Sequence, residues 1–216
     1  MKSEIYSPAE DSYLLAESVK EYLNNLLKEN KKLSKSNRCL ANHKQTKHNV
    51  HITDKNINIF NIKILDMGAG SGIQALVCRK LGFKNILAAD INQKAVKQLK
   101  KQKIKAIRSN LFSKINKKQK FDLIIFNPPY LPEDKYDKKQ DTTAGKQGYE
   151  LIIRFLKQAK FHLNKEGTIL LLFSSLSKPK IIIKKAKQLG YKLKPLNSKK
   201  LFFEKLYVYE IYMSKD

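Results

Sequence analysis

Apolar residues return at helical spacing in Leu14, Leu15, Val19, Tyr22, Leu23, Leu26 and Leu27, which predicts an amphipathic helix near the start of the chain. Ser7, Pro8 and then Glu10 read as its start signal: a capping hydroxyl, a proline at the first helical position and a capping-box acid. From residue 28 to residue 61 the repeat gives way to Lys, Asn, Ser and His. That stretch is too polar to build a core and too long for an ordinary loop, so it reads as a mobile insertion. Beyond it strand and helix patterns alternate. Strands are expected at 62–67, 86–90, 104–109, 121–126 and 167–173, with helices at 72–81, 93–102, 148–163 and 179–189 between and after them. Two last strands, 191–196 and 201–213, are joined by a polar Asn-Ser-Lys-Lys turn and imply an antiparallel closing pair. Alternation of this kind predicts an α/β fold: a seven-stranded, mostly parallel sheet covered by helices on both faces. Ligands of such a sheet sit at the carboxyl ends of its strands, in the loops that follow them.

A chain of 216 residues, 42% hydrophobic and 29% charged, suits a single domain, 1–216. Within it the reading places an N-terminal helix region at 1–27, the insertion at 28–61 and the core at 62–216. Cys39 and Cys78 are too few for a disulfide scaffold or a zinc knuckle, which points to a reducing compartment. His43, His48 and His51 lie in the insertion without a Cys or carboxylate cluster, so they read as solvated residues and no metal is expected. With no membrane-length apolar run and no signal-peptide core, a soluble cytoplasmic protein is expected. The net charge of +25 changes the picture more. A field of that sign attracts phosphate-rich or acidic partners such as RNA or a ribosome. A compositional bias toward Lys and Asn would produce the same charge. The basic residues concentrate between Lys94 and Lys120, where no acid occurs.

Candidate chemistry falls in the expected loops. Asp66-Met67-Gly68-Ala69-Gly70-Ser71-Gly72 follows the first strand, and glycines there let a ligand lie against the main chain at a helix N-terminus. Asp90 ends the second strand, where an unpaired carboxylate gains little and a ribose diol is its expected partner. A dinucleotide site would share this pair, but its third glycine usually comes one residue later. Asn110 and Leu111 follow the third strand; the first can read an adenine edge and the second can pack on its face, although Asn110 also suits a plain turn. After the fourth strand comes Asn127-Pro128-Pro129-Tyr130. The two prolines remove two N–H donors, so the Asn127 amide oxygen and the Pro128 carbonyl can both accept from one guest. A planar primary amide or amine fits that demand, and Tyr130 offers it an aromatic face.

This order of motifs resembles class I S-adenosylmethionine-dependent methyltransferases that modify a planar amide or amine nitrogen. Two further stretches, Tyr6-Ser7-Pro8-Ala9-Glu10-Asp11-Ser12-Tyr13-Leu14-Leu15 and Leu201-Phe202-Phe203-Glu204-Lys205-Leu206-Tyr207-Val208, are similar to the HemK-like glutamine methyltransferases of archaeal and eukaryotic type. The resemblance implies a Rossmann-like sheet and transfer of methyl from S-adenosylmethionine to the glutamine amide of the Gly-Gly-Gln loop of a class I release factor. It implies that Ser12, Asp66, Gly68, Gly70, Gly72, Asp90, Asn110, Leu111 and Asn127 hold the cofactor, with Asp66 and Gly68 at its amino-acid end. Asn127, Pro128, Pro129 and Tyr130 would hold the substrate, with Asn127, Pro128 and Tyr130 serving catalysis. It also implies a small zinc-binding activator that pairs with the third strand, at a sheet edge. The family usually has Asp at the position of Asn110, and Trp with a Gly-Gly pair where this chain has Thr142-Thr143-Ala144-Gly145-Lys146-Gln147-Gly148. The Asn-Pro-Pro-Tyr motif is shared with DNA adenine and rRNA guanine methyltransferases. Those activities, protein-lysine methylation and a noncatalytic RNA-binding role are the alternatives.

Overall fold

A computed structural model describes residues 7–41, 59–130 and 148–214, with 33–41 described by backbone alone. The insertion residues 42–58, including the three histidines, lie outside the described residues, as do Tyr6 and the loop 131–147.

β1 (Ile64–Met67) is buried at every position, as a strand covered on both faces must be. β2 (Ile86–Asp90), β3 (Lys105–Arg108), β4 (Phe121–Phe126) and β5 (Leu163–Ser174) join it in parallel, while β7 (Lys205–Met213) runs antiparallel to β5 and to β6 (Tyr191–Lys200). The sheet order is β3-β2-β1-β4-β5-β7-β6. Alternate strand residues feed opposite faces. Leu65, Ile124, Phe126, Ile169 and Leu171 pack with α4 (Glu150–Ala159) and α5 (Pro179–Gln188) through Phe155, Leu156 and Ile182. Ile64, Leu123, Ile125, Leu170 and Leu172 pack with α1 (Glu10–Ala41) through Leu14, Leu15, Val19 and Leu23, and with α2 (Ile73–Lys80) through Cys78. α3 (Gln93–Lys101) covers the β2–β3 end with Val96 and Leu99. No helix among the described residues is long and apolar enough to cross a membrane.

Four boundaries differ most from expectation. α1 starts at Glu10, with the Tyr13 amide donating to the Ala9 carbonyl (3.0 Å), so Ser7 and Pro8 precede the helix and do not cap it. Glu10 and Asp11 in its first turn suit the positive end of the helix dipole. The same helix continues past Leu27 to Ala41, into the stretch read as insertion; Lys and Glu have good helix propensity and need no apolar stripe to extend one. The closing turn is Leu201–Glu204, not Asn197–Lys200, which belongs to β6. Pro195 is tolerated there because β6 is an edge strand with a register shift at that point. β5 also begins earlier than Gly167; a Cβ at Gly167 would sit 2.9 Å from the Leu163 side chain and the Phe121 carbonyl, so that glycine marks a close approach inside the strand.

Candidate active site

The loop between β1 and α2 turns sharply enough that Gly68, Gly70 and Gly72 all have positive φ, at 63°, 50° and 84°. At Gly72 an added Cβ would collide with Leu99 Cδ2, so close helix packing excludes any side chain. Gly70 is different: a Cβ there would meet nothing nearer than the Gly68 carbonyl at 3.9 Å, leaving open room above the main chain.

Two buried carboxylates shape this loop. Asp66 Oδ2 accepts from the Ala75 amide at 3.0 Å and ties the end of β1 to the first turn of α2. Burial, opposed by that hydrogen bond and assisted by the nearby Asp90, pushes the Asp66 carboxyl up to about 7. Asp90, for which the sequence suggests a ligand diol as partner, already has partners within the chain. Its Oδ2 accepts from the Gly70 amide and its Oδ1 from the Asn92 amide, both at 2.7 Å. Burial raises the Asp90 carboxyl, and these amides pull the other way. Each carboxylate oxygen can accept more than one hydrogen bond, so capacity for a diol remains.

On the third loop, Asn110 is exposed and its Oδ1 accepts from Arg154 Nη2 at 3.3 Å. Leu111 is buried with a positive φ of 48°, its carbonyl accepting from Ser109 Oγ at 2.6 Å. Arg154, on α4, had no signal in the sequence reading.

The fourth loop meets the start of α1. Asn127 Nδ2 donates to Asp11 Oδ2 at 3.1 Å and approaches Ser12 Oγ at 3.5 Å. A carboxylate only accepts, so the NH₂ of Asn127 must face Asp11 and its Oδ1 must face away. That Oδ1 is buried with no partner among the described residues. Ser12 is buried, and its carbonyl accepts from Gln74 Nε2 at 3.3 Å, leaving Gln74 Oε1 as a second buried acceptor without a partner among the described residues. Pro128 is buried, Pro129 and Tyr130 are half-buried, and the Tyr130 carbonyl accepts from Ser177 Oγ at 3.0 Å. The Tyr130 ring packs against the core under α1. Asp11 and Gln74 were not singled out from the sequence. Asp11 stands inside the quoted N-terminal block, and only its contact with a residue 116 positions away reveals a part in the site.

The structure therefore brings Ser12, the glycine loop, Asp66, Asp90 and Asn127 to the carboxyl edge of the sheet, each held there by a hydrogen bond to a neighbouring loop or helix. Residues 50–189 match the methyltransferase small domain family. A protein of Methanocaldococcus jannaschii named for protein N5-glutamine methyltransferase activity is 37% identical over 164 residues, covering 70% of this chain and 82% of that protein. The release factor glutamine methyltransferase of Fusobacterium nucleatum is 43% identical over 82 residues, which span only 34% of this chain and 23% of that enzyme. Among solved structures, the E. cuniculi Mtq2–Trm112 complex, responsible for methylating the eRF1 translation termination factor, contains a chain of the same fold. It aligns with a TM-score of 0.66 at 22% identity, covering 97% of this chain and 98% of that one. The chain belongs to the methyltransferase small domain family and, within it, to the HemK-like S-adenosylmethionine-dependent protein glutamine methyltransferases.

Proposed function

We propose that the acceptor is the glutamine of the Gly-Gly-Gln loop of a class I release factor, and that Asn127 is the residue that orients it. The observation that carries this reading is the Asp11–Asn127 contact, which leaves a buried, fixed Oδ1 acceptor beside a carbonyl that no proline N–H competes for. Asn127 Oδ1 and the Pro128 carbonyl accept the two N–H bonds of the glutamine amide. An amide nitrogen is a poor nucleophile because its lone pair is delocalised, so orientation is the main resource. As positive charge develops on that nitrogen its N–H bonds become better donors, and both hydrogen bonds tighten in the transition state. Tyr130 and Pro129 bound the acceptor side.

S-adenosylmethionine, when bound, supplies the electrophilic methyl on a sulfonium. The residues fit it: the open face above Gly70 admits a ligand against the main chain, and Asp90 offers acceptors to a diol. Asp66 ties the end of β1 to α2, and Gly72 lets the loop pack against Leu99 of α3. Ser12 and Gln74 Oε1 offer acceptors to an ammonium group. Asn110 and Leu111 border the adenine end, where Arg154 holds the Asn110 side chain.

The partner reading rests on β3, which lies at the edge of the sheet. An edge strand presents unpaired backbone groups, and a small zinc-binding activator that adds a strand there would cover them. Lys94, Lys97, Lys100, Lys101, Lys103 and Lys105 are exposed around this edge and would attract an acidic partner. The same surface favours contact with RNA or the ribosome. Incubation with labelled S-adenosylmethionine and, separately, a release factor, duplex DNA and rRNA tests the acceptor. Label in the release factor alone is expected, and label in nucleic acid alone would overturn the reading. Co-purification with a candidate activator tests the partner: higher solubility and turnover are expected, while an active monomer indifferent to the activator contradicts it.

A further inference from the structure

The two most exposed large apolar side chains among the described residues are neighbours, Phe202 at 92% and Phe203 at 85%, at the tip of the β6–β7 turn. Leu-Phe-Phe-Glu lacks the Gly, Asn, Asp or Pro that turns favour, and leaving two phenylalanine rings in water forgoes the burial that normally stabilises them. Their rings touch each other edge to face, with centroids 4.6 Å apart and planes at 80°. A local rule broken without a structural return marks a place where function is to be sought.

The tip is fixed to the candidate site. Leu206 pairs with Ser174 at the carboxyl end of β5, so the turn projects on the side of the sheet where the loop after β4 carries Asn127 to Tyr130. Just beyond Phe203, the Lys205 amide donates to Ser175 Oγ at 3.0 Å, and two residues on Ser177 Oγ donates to the Tyr130 carbonyl at 3.0 Å. Leu201 and Tyr130 pack against the same buried cluster. Leu176, between those two serines, is a further apolar side chain, 44% exposed.

We propose that Phe202 and Phe203 form a docking wedge for the protein substrate, inserting into an apolar pocket of the release factor next to its methylated glutamine. This rests on the acceptor being a protein. The wedge suits a protein surface better than nucleic acid on two grounds. Rings at 80° do not present the parallel faces between which bases stack. Of the three lysines flanking the tip, two are also engaged, Lys199 with Glu10 and Lys205 over the Tyr207 ring, which leaves the exposed Lys200 to follow a phosphate backbone. Aromatic anchors that fill a partner's pocket carry a large share of interface energy.

The test uses the full chain, alone and with its candidate activator, carrying Phe202→Ser and Phe203→Ser together; both rings are exposed, so the fold should be kept, and a circular dichroism melt confirms it. Initial rates are measured with an intact release factor and with a short peptide containing the Gly-Gly-Gln sequence. Expected for the variant is a KM for the intact protein raised by about tenfold or more, with kcat, peptide kinetics and S-adenosylmethionine affinity unchanged. An unchanged KM for the intact protein, or an equal loss with protein and peptide, overturns the proposal. So does a variant that loses rRNA binding or self-association, by gel shift or light scattering, while keeping its KM. If the unsubstituted chain does not methylate the release factor, the acceptor reading fails and this proposal fails with it; turnover by the unsubstituted chain with no KM shift in the variant removes the wedge alone.

Discussion

Asp90 Oδ2 accepts the Gly70 amide at 2.7 Å, so the carboxylate at the end of β2 also pins the loop that follows β1. Losing it removes the brace and, on the proposed cofactor site, a ligand acceptor as well. Asp90→Ala should weaken S-adenosylmethionine binding by about 1.5 to 3 kcal/mol, the range of charge-assisted hydrogen bonds. Asp90→Asn, which keeps one acceptor, should lose less. Isothermal calorimetry reads both, and unchanged affinity in the alanine variant would take Asp90 out of the site.

Asn127→Ala removes the acceptor proposed to meet the substrate amide. Turnover on the release factor should fall by roughly a hundredfold or more, the usual cost of deleting one such group, while cofactor affinity largely survives. Single-turnover rates beside calorimetry separate the two. Wild-type turnover in this variant would refute the role.

Asp11 acts through Asn127 by holding its NH₂ group. Asp11→Ala frees the amide to rotate and should lower kcat by about tenfold with a smaller change in KM. Asp11→Asn retains an oxygen acceptor and should recover part of the loss. Equal activity of all three proteins would contradict a positioning role, and equal loss in both variants would point to a purely structural one.

The raised carboxyl of Asp66 has a consequence for stability. Its ordinary value is 3.8, and the folded chain holds it at about 7. Between these values the native state binds the proton that the unfolded chain releases. The contribution of Asp66 to stability therefore declines as pH rises from about 4 to about 7 and stays at its least favourable above that. Asp66→Asn keeps an acceptor for the Ala75 amide and removes the titration. Urea unfolding across this window should show the native chain losing stability relative to the variant with rising pH, and parallel profiles would contradict the assignment.

Much of the fold was legible in the sequence because each central strand is a short apolar run bounded by a turn: β2 and β4 begin and end where their residues say. The placement of the glycine loop, Asp90 and Asn127 at the carboxyl ends of their strands, where an α/β sheet concentrates ligand-binding loops, was legible from the same strand pattern. The extension of α1 to Ala41 was not, since a solvated Lys-rich helix carries no apolar period to read. The sequence predicts strand through the tip at Phe202 and Phe203 because aromatic residues favour strands and ordinarily seek burial. Asp11, Gln74 and Arg154 escaped notice for another reason. Their roles come from tertiary contacts with Asn127, Ser12 and Asn110, at separations that no local spacing encodes.

The most direct measurement is tandem mass spectrometry of a release factor after incubation with this chain, its candidate activator and isotopically labelled S-adenosylmethionine. The expected result is one labelled methyl group on the side-chain amide nitrogen of the Gly-Gly-Gln glutamine, lost when Asn127→Ala replaces the native chain. A methyl group on a lysine, on any other residue, or only on added nucleic acid would contradict the reading.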